Sequence, residues 1–359
     1  MSYAQDQTEI PNEIYRAKVV SLSEPQSDTW NGAQRVTREA EVLLRDGPDS
    51  GKTIEMKYSV VNGSDNLHLE RGDTVLVEVL HKPDGSTEYF FREQYRLNAL
   101  IFLLVLFIAL SVILAGWTGI ASFAGLVVSI GILMLFVVPQ IAAGRNPLLI
   151  SLIGSCLIAC SSIYLAHGFH RRTTLALFST MITLAITTFL ALFAVSFSSL
   201  FGMGSEEAMF LQFGLADVNL RGLLLGSIII GALGVLDDIT TAQTAAIAEI
   251  SRANPSLGFR ELYHAGSAVG REHIASLINT LALAYFGTSM PLMLLFGINR
   301  DLPVWAIVNA EFIAEEIVRT LVGSSALLLA VPISTWLAAR AFAHGAHREE
   351  SGTHHGHSH

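Results

Sequence analysis

Charge is what this chain has least of. Asp, Glu, Lys and Arg make up 15% of its 359 residues, well under the ~25% of an ordinary soluble domain. The shortage is local: from Leu97 onward the sequence is a succession of apolar runs, and before it the polarity is ordinary. A water-soluble fold for the whole chain is thereby excluded. The net charge is −9, which excludes the basic footprint that a nucleic-acid partner requires. Cysteine is scarce as well. Cys156 and Cys160 stand four apart in an apolar run, on one helical face where disulfide geometry is out of reach. They read as structural thiols. The first residues lack the basic start and apolar core of a signal peptide. No HExxH, Ser–His–Asp or Cys–His arrangement marks the apolar part, so an enzyme is the less favoured class.

What is present begins with a small β domain over residues 13–96, after a flexible stretch 1–12. Five strands are expected, at Glu13–Leu22, Arg35–Leu44, Thr53–Val61, Thr74–His81 and Glu88–Arg92. They are rich in Val, Tyr and Thr, and Thr74–Val79 alternates with period two. Turns at Asp46-Gly47-Pro48, Asn62-Gly63, Arg71-Gly72-Asp73 and Pro83-Asp84-Gly85 separate them. Five short strands in this length predict a small closed barrel of OB or SH3-like type. No regular array of stacking aromatics accompanies them, so the domain reads as accessory or sensing.

A helical span needs ~20 apolar residues. Spans are expected at Leu97–Ala115, Ile120–Val138, Pro147–Leu165 and Thr173–Leu200. A fifth runs from Leu220 into the segment GALGVLDD, and Arg271–Phe296 makes a sixth. The last element, near Pro303 to Phe342, is about 40 residues long, so a break is expected near Gly323-Ser324-Ser325, with the polar half re-entrant or packed inside the bundle. The fold class is a polytopic α-helical membrane bundle of about seven spans over 97–343, carrying the β-barrel domain and ending in a disordered His-rich tail, 344–359. That tail holds six histidines without a fixed scaffold.

Basic residues in short loops orient a membrane protein. Arg171, Arg172, Arg252, Arg260, Arg340 and Arg348 fall on one side with the C-terminus, which is expected to be cytoplasmic. Arg92, Arg96, Arg145 and Arg300 fall on the other with Glu206 and Glu207. The β domain then faces the outside, and a membrane segment preceding it is expected.

The polar residues of the apolar part gather at 231–325. Nine carboxylates (Asp237, Asp238, Glu249, Glu261, Glu272, Asp301, Glu311, Glu315 and Glu316) face five arginines there. The first four spans hold no charged residue at all. Intramembrane carboxylates cost ~2.5–3.5 kcal/mol each on insertion scales and are functional by default. Asp238 and Thr241 share a helical face, and Glu249 returns to it roughly 16 Å along. Glu272 and Asn279 are seven apart and Glu311 and Glu315 four apart, so three helices each present oxygen ligands. Asp238, Glu272, Glu311 and Glu315 form the expected ion or metal site, completed by Asn279 and Thr241, with Asp237 and Glu249 on the access route. Such oxygens suit protons or a monovalent or divalent cation. Glu315 with Arg319 reads equally as an intrahelical ion pair. Arg271 and Arg319 are alternatively anion-binding, with the carboxylates carrying protons.

The phrases GALGVLDDITTAQTAAIAEI, NPSLGFRELYHAGSAVGREHIASLINTLALAYFG and VNAEFIAEEIVRTLVGSSALLLAVPI resemble the YibE/F family of bacterial membrane proteins. They cover most of 220–335, and the likeness extends more loosely back through the β domain. The resemblance implies a multi-pass protein of the bacterial cytoplasmic membrane with a membrane segment ahead of the β domain, and carries over no catalytic residue. The expected function is cation- or proton-coupled transport of a small ion or molecule, in a chain embedded in the bilayer and able to form a homo-oligomer. A membrane-embedded metal-dependent hydrolase and a non-transporting scaffold with an extracytoplasmic recognition domain are the alternatives. A scaffold predicts that the acids pair off with Arg252, Arg271 and Arg319. The hydrolase predicts two or more carboxylates within about 4 Å of one another around a metal.

Overall fold

The computed structural model describes residues 13–24, 26–30, 33–61, 69–82, 86–214, 218–298 and 303–343. The expected flexible start, the turns at Asn62-Gly63 and Pro83-Asp84-Gly85, Arg300, Asp301 and the His-rich tail lie outside them. Two compact units are formed, residues 1–109 and 110–359.

In the first unit the expected strands appear as β1 (Glu13–Leu22), β3 (Ala33–Leu44), β4 (Thr53–Val61), β5 (Thr74–His81) and β6 (Thr87–Gln94), with an additional short β2 (Gln26–Trp30). The order is β1-β5-β6-β4-β3-β2, and β1 also pairs with β3. Where a closed barrel was expected, the sheet is a curled half-barrel. Its closing seam, β4 to β6, is parallel and pairs only Lys57 with Phe90 among the described residues. Alternation places Val75, Val77 and Val79 inside, where Val75 and Val77 join Ala17, Val19, Val42, Leu44 and Met56 in one core. Leu44 and Met56 are fully buried.

The helices are α1 (Leu97–Ile132), continued by a π-helical turn (Leu133–Val137) into α2 (Val138–Ala142), then α3 (Pro147–His167), α4 (Arg171–Phe197), α5 (Glu206–Gly214), α6 (Leu220–Ala253), α7 (Phe259–Thr288), α8 (Met290–Ile298), α9 (Val304–Asn309) and α10 (Glu311–Phe342). Among the described residues five stretches are long and apolar enough to cross a membrane: Leu97–Ala142, α3, α4, α6 and α10. The expected first two spans both fall in Leu97–Ala142, which is interrupted at Gly116, whose φ of 59° and ψ of −136° are not helical. The expected sixth falls on α7 and α8, and neither qualifies. The count of about seven is thus not reproduced. The final element also differs from expectation. Helix runs unbroken through Gly323-Ser324-Ser325, and the chain bends instead at Ala310, between α9 and α10.

Side-chain contacts fix the helix directions. α3 runs alongside α6 in the same sense, since Pro147 lies by Gly222, Ser151 by Gly226 and Ser162 by Asp237. α10 does so too, because Thr335 meets Gln243 and Ser251 meets the Phe342 carbonyl. α4 runs the other way, with Thr180 on Thr240 and Val195 packed with Leu224 and Leu225. α7 is likewise opposed, its Gly266 and Gly270 lying against Ile247 and Gln243. Glycines permit these close approaches: a Cβ on Gly226 would strike Ser151, and one on Gly270 would strike Val331.

Polar side chains inside the bundle are mostly satisfied locally. Thr180, Thr183 and Thr187 of α4 are fully buried, and each hydroxyl donates to the carbonyl four residues back. In the β unit, Leu44→Ala is expected to cost about 2–5 kcal/mol through the cavity it leaves. Limited proteolysis checks this: cleavage within residues 13–96 should accelerate while far-UV helix content stays constant.

Candidate functional site

The bundle has two differently charged ends. Arg171 and Arg172 begin α4, Arg252 and Arg260 flank the α6–α7 connection, and Arg340 closes α10. By the directions established above, all five share one end. The opposite end carries Glu311 and Glu315 at the start of α10 and the loop that follows α4. Carboxylates that the sequence gathers into one site are therefore divided between the two ends.

At the acidic end Glu311 Oε1 accepts three backbone N–H groups, from Phe201 at 2.7 Å, Gly202 at 3.1 Å and Met203 at 3.3 Å. Glu315, 7% exposed, accepts from the Gly204 N–H at 3.0 Å. The loop needs glycine to present its amides inward: Gly202 has φ of 84°, and a Cβ there would collide with the Leu220 carbonyl. Arg319 pairs with Glu316 rather than with Glu315, and its Nε is buried without an acceptor. Glu311 and Glu315 are fasteners of this loop. The loop packs on Leu220, whereas Asp238 lies 18 residues further along α6, roughly 27 Å at 1.5 Å per residue.

At the basic end the Asp237–Asp238 pair faces α3. Asp237 Oδ2 accepts from Ser162 Oγ at 3.1 Å. Thr241 Oγ1 donates to the Asp237 and Asp238 carbonyls at 2.8 and 3.0 Å, and Thr240 Oγ1 meets Thr180 Oγ1 at 2.6 Å. Two cavities adjoin the pair. One, about 190 Å³, is bounded by Ser122, Ser162, Gly234 and Asp237. The other, about 240 Å³, is bounded by Arg172, Thr173, Ala176 and Ala245. His167, Asp238 and Thr241 line both. Ser162 is five residues short of the end of α3, about 8 Å. The pair is thus level with the last turns of α3, although within α6 itself it lies mid-helix, Asp237 being 17 residues after Leu220 and Asp238 15 before Ala253.

The remaining expected ligands are elsewhere. Glu249 is exposed and pairs with Arg252 at 3.1 Å. Arg271, Glu272 and Asn279 lie exposed on α7. Among the described residues no three His, Cys, Asp or Glu side chains converge as a metal site would need, so Asp238, Glu272, Glu311 and Glu315 are not assembled around one ion. Neither Asp237 nor Asp238 makes an ion pair among the described residues. Sequence reasoning assigned no site role to Ser162, His167 or Thr173, and used Arg172 for orientation alone. It also missed Gln243, whose Nε2 donates to the Gly266 carbonyl at 2.7 Å and to Thr335 Oγ1 at 2.9 Å. That side chain ties α6, α7 and α10 together. Only the neighbouring helices reveal these partners, although a lone Gln in an apolar helix is itself a signal.

A family model described as YibE/F-like protein matches residues 103–344. No curated protein and no solved structure matches the chain.

Two substitutions check this geometry. Glu311→Ala should destabilise by about 1.5–3 kcal/mol, since it removes a charged acceptor from three amides; thermal unfolding in detergent reads it. Gln243→Leu leaves the Thr335 hydroxyl and the Gly266 carbonyl their own helical bonds and removes the two that join the helices, and should cost about 1–3 kcal/mol in the same measurement.

Proposed function

The chain belongs to the YibE/F-like family, and we propose that it is a membrane transporter coupled to protons or a small cation through Asp237 and Asp238. One observation carries this reading: two carboxylates without a basic partner stand between two cavities, with a serine and a histidine beside them. Of the other acids on the bundle, Glu249 and Glu316 are held by arginines and Glu311 and Glu315 by loop amides, while Glu272 is exposed on α7. That contrast favours a working role over the scaffold alternative. Protons fit better than a metal cation, since a carboxylate with a serine hydroxyl and a nearby imidazole suffices to hold and pass a proton, whereas a cation needs more oxygens than converge here.

In this mechanism Asp237 and Ser162 hold α3 against α6 while Asp237 is ionised. Protonation removes the charge that makes the Ser162 hydrogen bond strong and lowers the cost of placing the pair among apolar side chains. Asp238, lining both cavities, is the group through which a proton passes from one to the other. Thr241 orients the pair by holding its carbonyls. By the positive-inside rule the arginine-rich end and the C-terminus are cytoplasmic and the β domain is extracytoplasmic, in the bacterial cytoplasmic membrane. Counting the break at Gly116 as a turn between spans, and α7 as a span with a polar face, gives seven.

Reconstitution in liposomes tests the reading. An imposed pH gradient should drive proton flux that falls at least tenfold in Asp237→Asn and Asp238→Asn, while Glu249→Gln leaves it unchanged. Flux that survives in the double Asn variant removes the proposal. A panel of Na⁺, K⁺, Mg²⁺, Ca²⁺ and Mn²⁺ in thermal unfolding distinguishes the cation version. A bound ion at a hundredfold excess over its Kd stabilises by about 2.7 kcal/mol, and that gain should vanish with Asp238→Asn.

A further inference from the structure

We propose that the larger cavity at the basic end binds a small oxyanion, held by Arg172, Thr173 and the first amides of α4 and sharing a proton with Asp238. This names a substrate class for the site above. It rests on the transport reading for the movement of the anion but not for its binding.

The start of α4 is open, whereas those of α3 and α6 are capped by the side chains of Asn146 and Asn219. Its first helical bond runs from the Thr174 N–H to the His170 carbonyl at 3.0 Å, so the amides of Arg171, Arg172 and Thr173 precede the ladder and have no acceptor within it. The residue before the helix, His170, provides no side-chain cap; its ring turns to the His167 carbonyl at 3.1 Å. A 27-residue helix therefore ends in free donors and the positive end of its dipole.

An independent observation gives this end a ligand. Thr173 lines the cavity and is 2% exposed, yet its hydroxyl has no hydrogen-bond partner among the described residues; the Ser155 and Thr244 hydroxyls share that state, but Thr173 differs from them in bordering this cavity. A buried polar group in that condition costs ~1–3 kcal/mol unless something occupies the space beside it. The next residue shows the ordinary alternative, since Thr174 Oγ1 is engaged by the His170 carbonyl and the Tyr164 hydroxyl, both at 3.2 Å. The two arginines differ in the same way. Arg171 stacks over Phe342 of α10 at 5.7 Å, whereas Arg172 lines the cavity without an ion pair among the described residues. A volume of about 240 Å³ holds several waters at ~30 Å³ each, or one small oxyanion with its remaining waters.

Four charged or titratable groups face or adjoin this space: His167 from α3, Arg172 from α4, and Asp237 and Asp238 from α6. Arg172 and Asp238 line it together and do not touch. An oxyanion seated on Arg172 therefore looks across at a carboxylate, which repels it unless one proton lies between the two oxygens. Either the anion enters protonated and donates to Asp238, or Asp238 is protonated and donates to the anion. Falling pH supplies that proton, and charging of His167 acts in the same direction, so binding tightens as pH falls. The geometry makes the anion and the coupling proton a single bound unit.

Calorimetry on the full chain in phosphatidylcholine nanodiscs, with inorganic phosphate and with acetate as probes, tests this directly. At least one probe should bind, more tightly at about pH 6 than at about pH 8. Arg172→Gln should weaken binding about tenfold or more and Arg172→Lys less; Thr173→Val should weaken it severalfold. Arg260→Gln, at the same end but outside the cavity, should leave it unchanged. Cooperative thermal unfolding of each variant confirms the fold. The proposal falls if neither probe binds, or if Arg172→Gln binds like the wild type. It falls equally if Arg172→Gln and Asp238→Asn destabilise the ligand-free protein non-additively with no probe bound, because the two then simply pair. Adding phosphatidylglycerol separates the sources. Loss of phosphate binding makes the anion a lipid headgroup and overturns the substrate assignment; retention supports a free oxyanion. Phosphate binding with proton flux intact in Asp237→Asn sinks the transport reading and leaves this site standing.

Discussion

The bundle is organised by the demand that polar groups on apolar helices find their partners inside the protein. Where water does not compete, an unsatisfied donor or acceptor is costly. The threonines of α4 meet that demand by bonding their own helix. Gln243 meets it by reaching two others, and in doing so sets the height of α7 against α6 and α10. Glu311 and Glu315 meet it by gathering the amides of the 201–204 loop, which closes the opposite end. Against this background the exceptions are informative. Among the described residues Asp237 and Asp238 lack a counter-charge, and the Thr173 hydroxyl, like those of Ser155 and Thr244, lacks a partner; Thr173 and the two aspartates border cavities.

Much of this fold was legible in the chain. Strand limits in the β unit came almost residue for residue from alternation and turn chemistry, because each strand has one buried and one solvated face. The half-barrel opening was not legible, since a parallel seam of one residue pair leaves no mark on composition. Apolar length identified the helices, and Gly116 marked a real interruption. The expected break at Gly323-Ser324-Ser325 failed because small residues serve two purposes. There they allow close packing, Gly323 being buried in the α10 interface, and the actual bend is at Ala310.

Helical spacing told which side chains share a face but not which helices meet, nor at what height. Glu311 and Glu315 were correctly placed on one face, and that face belongs to the wrong end of the bundle for Asp238. Charge counting found an acidic excess and could not say that loop amides absorb two of its members. Asp237 and Asp238 were recognisable from the sequence because charge in an apolar helix is conspicuous. Ser162 and Thr173 were not, because a hydroxyl in such a helix is commonplace and only its lack of a local bond distinguishes it.

The fastening of α6 is uneven across its width. On the side of α7 and α10, Gln243 joins three helices through two hydrogen bonds, and Ser251 adds a third to the end of α10. On the side of α3, the polar junction at this level is the single bond from Ser162 to Asp237. Displacing α10 along α6 sacrifices two of these bonds, and displacing α3 or α7 sacrifices one each. The polar tie of α3 to α6 therefore includes an ionisable group, whereas those of α7 and α10 are neutral, so a change in the charge of Asp237 acts on the first junction and leaves the other two untouched.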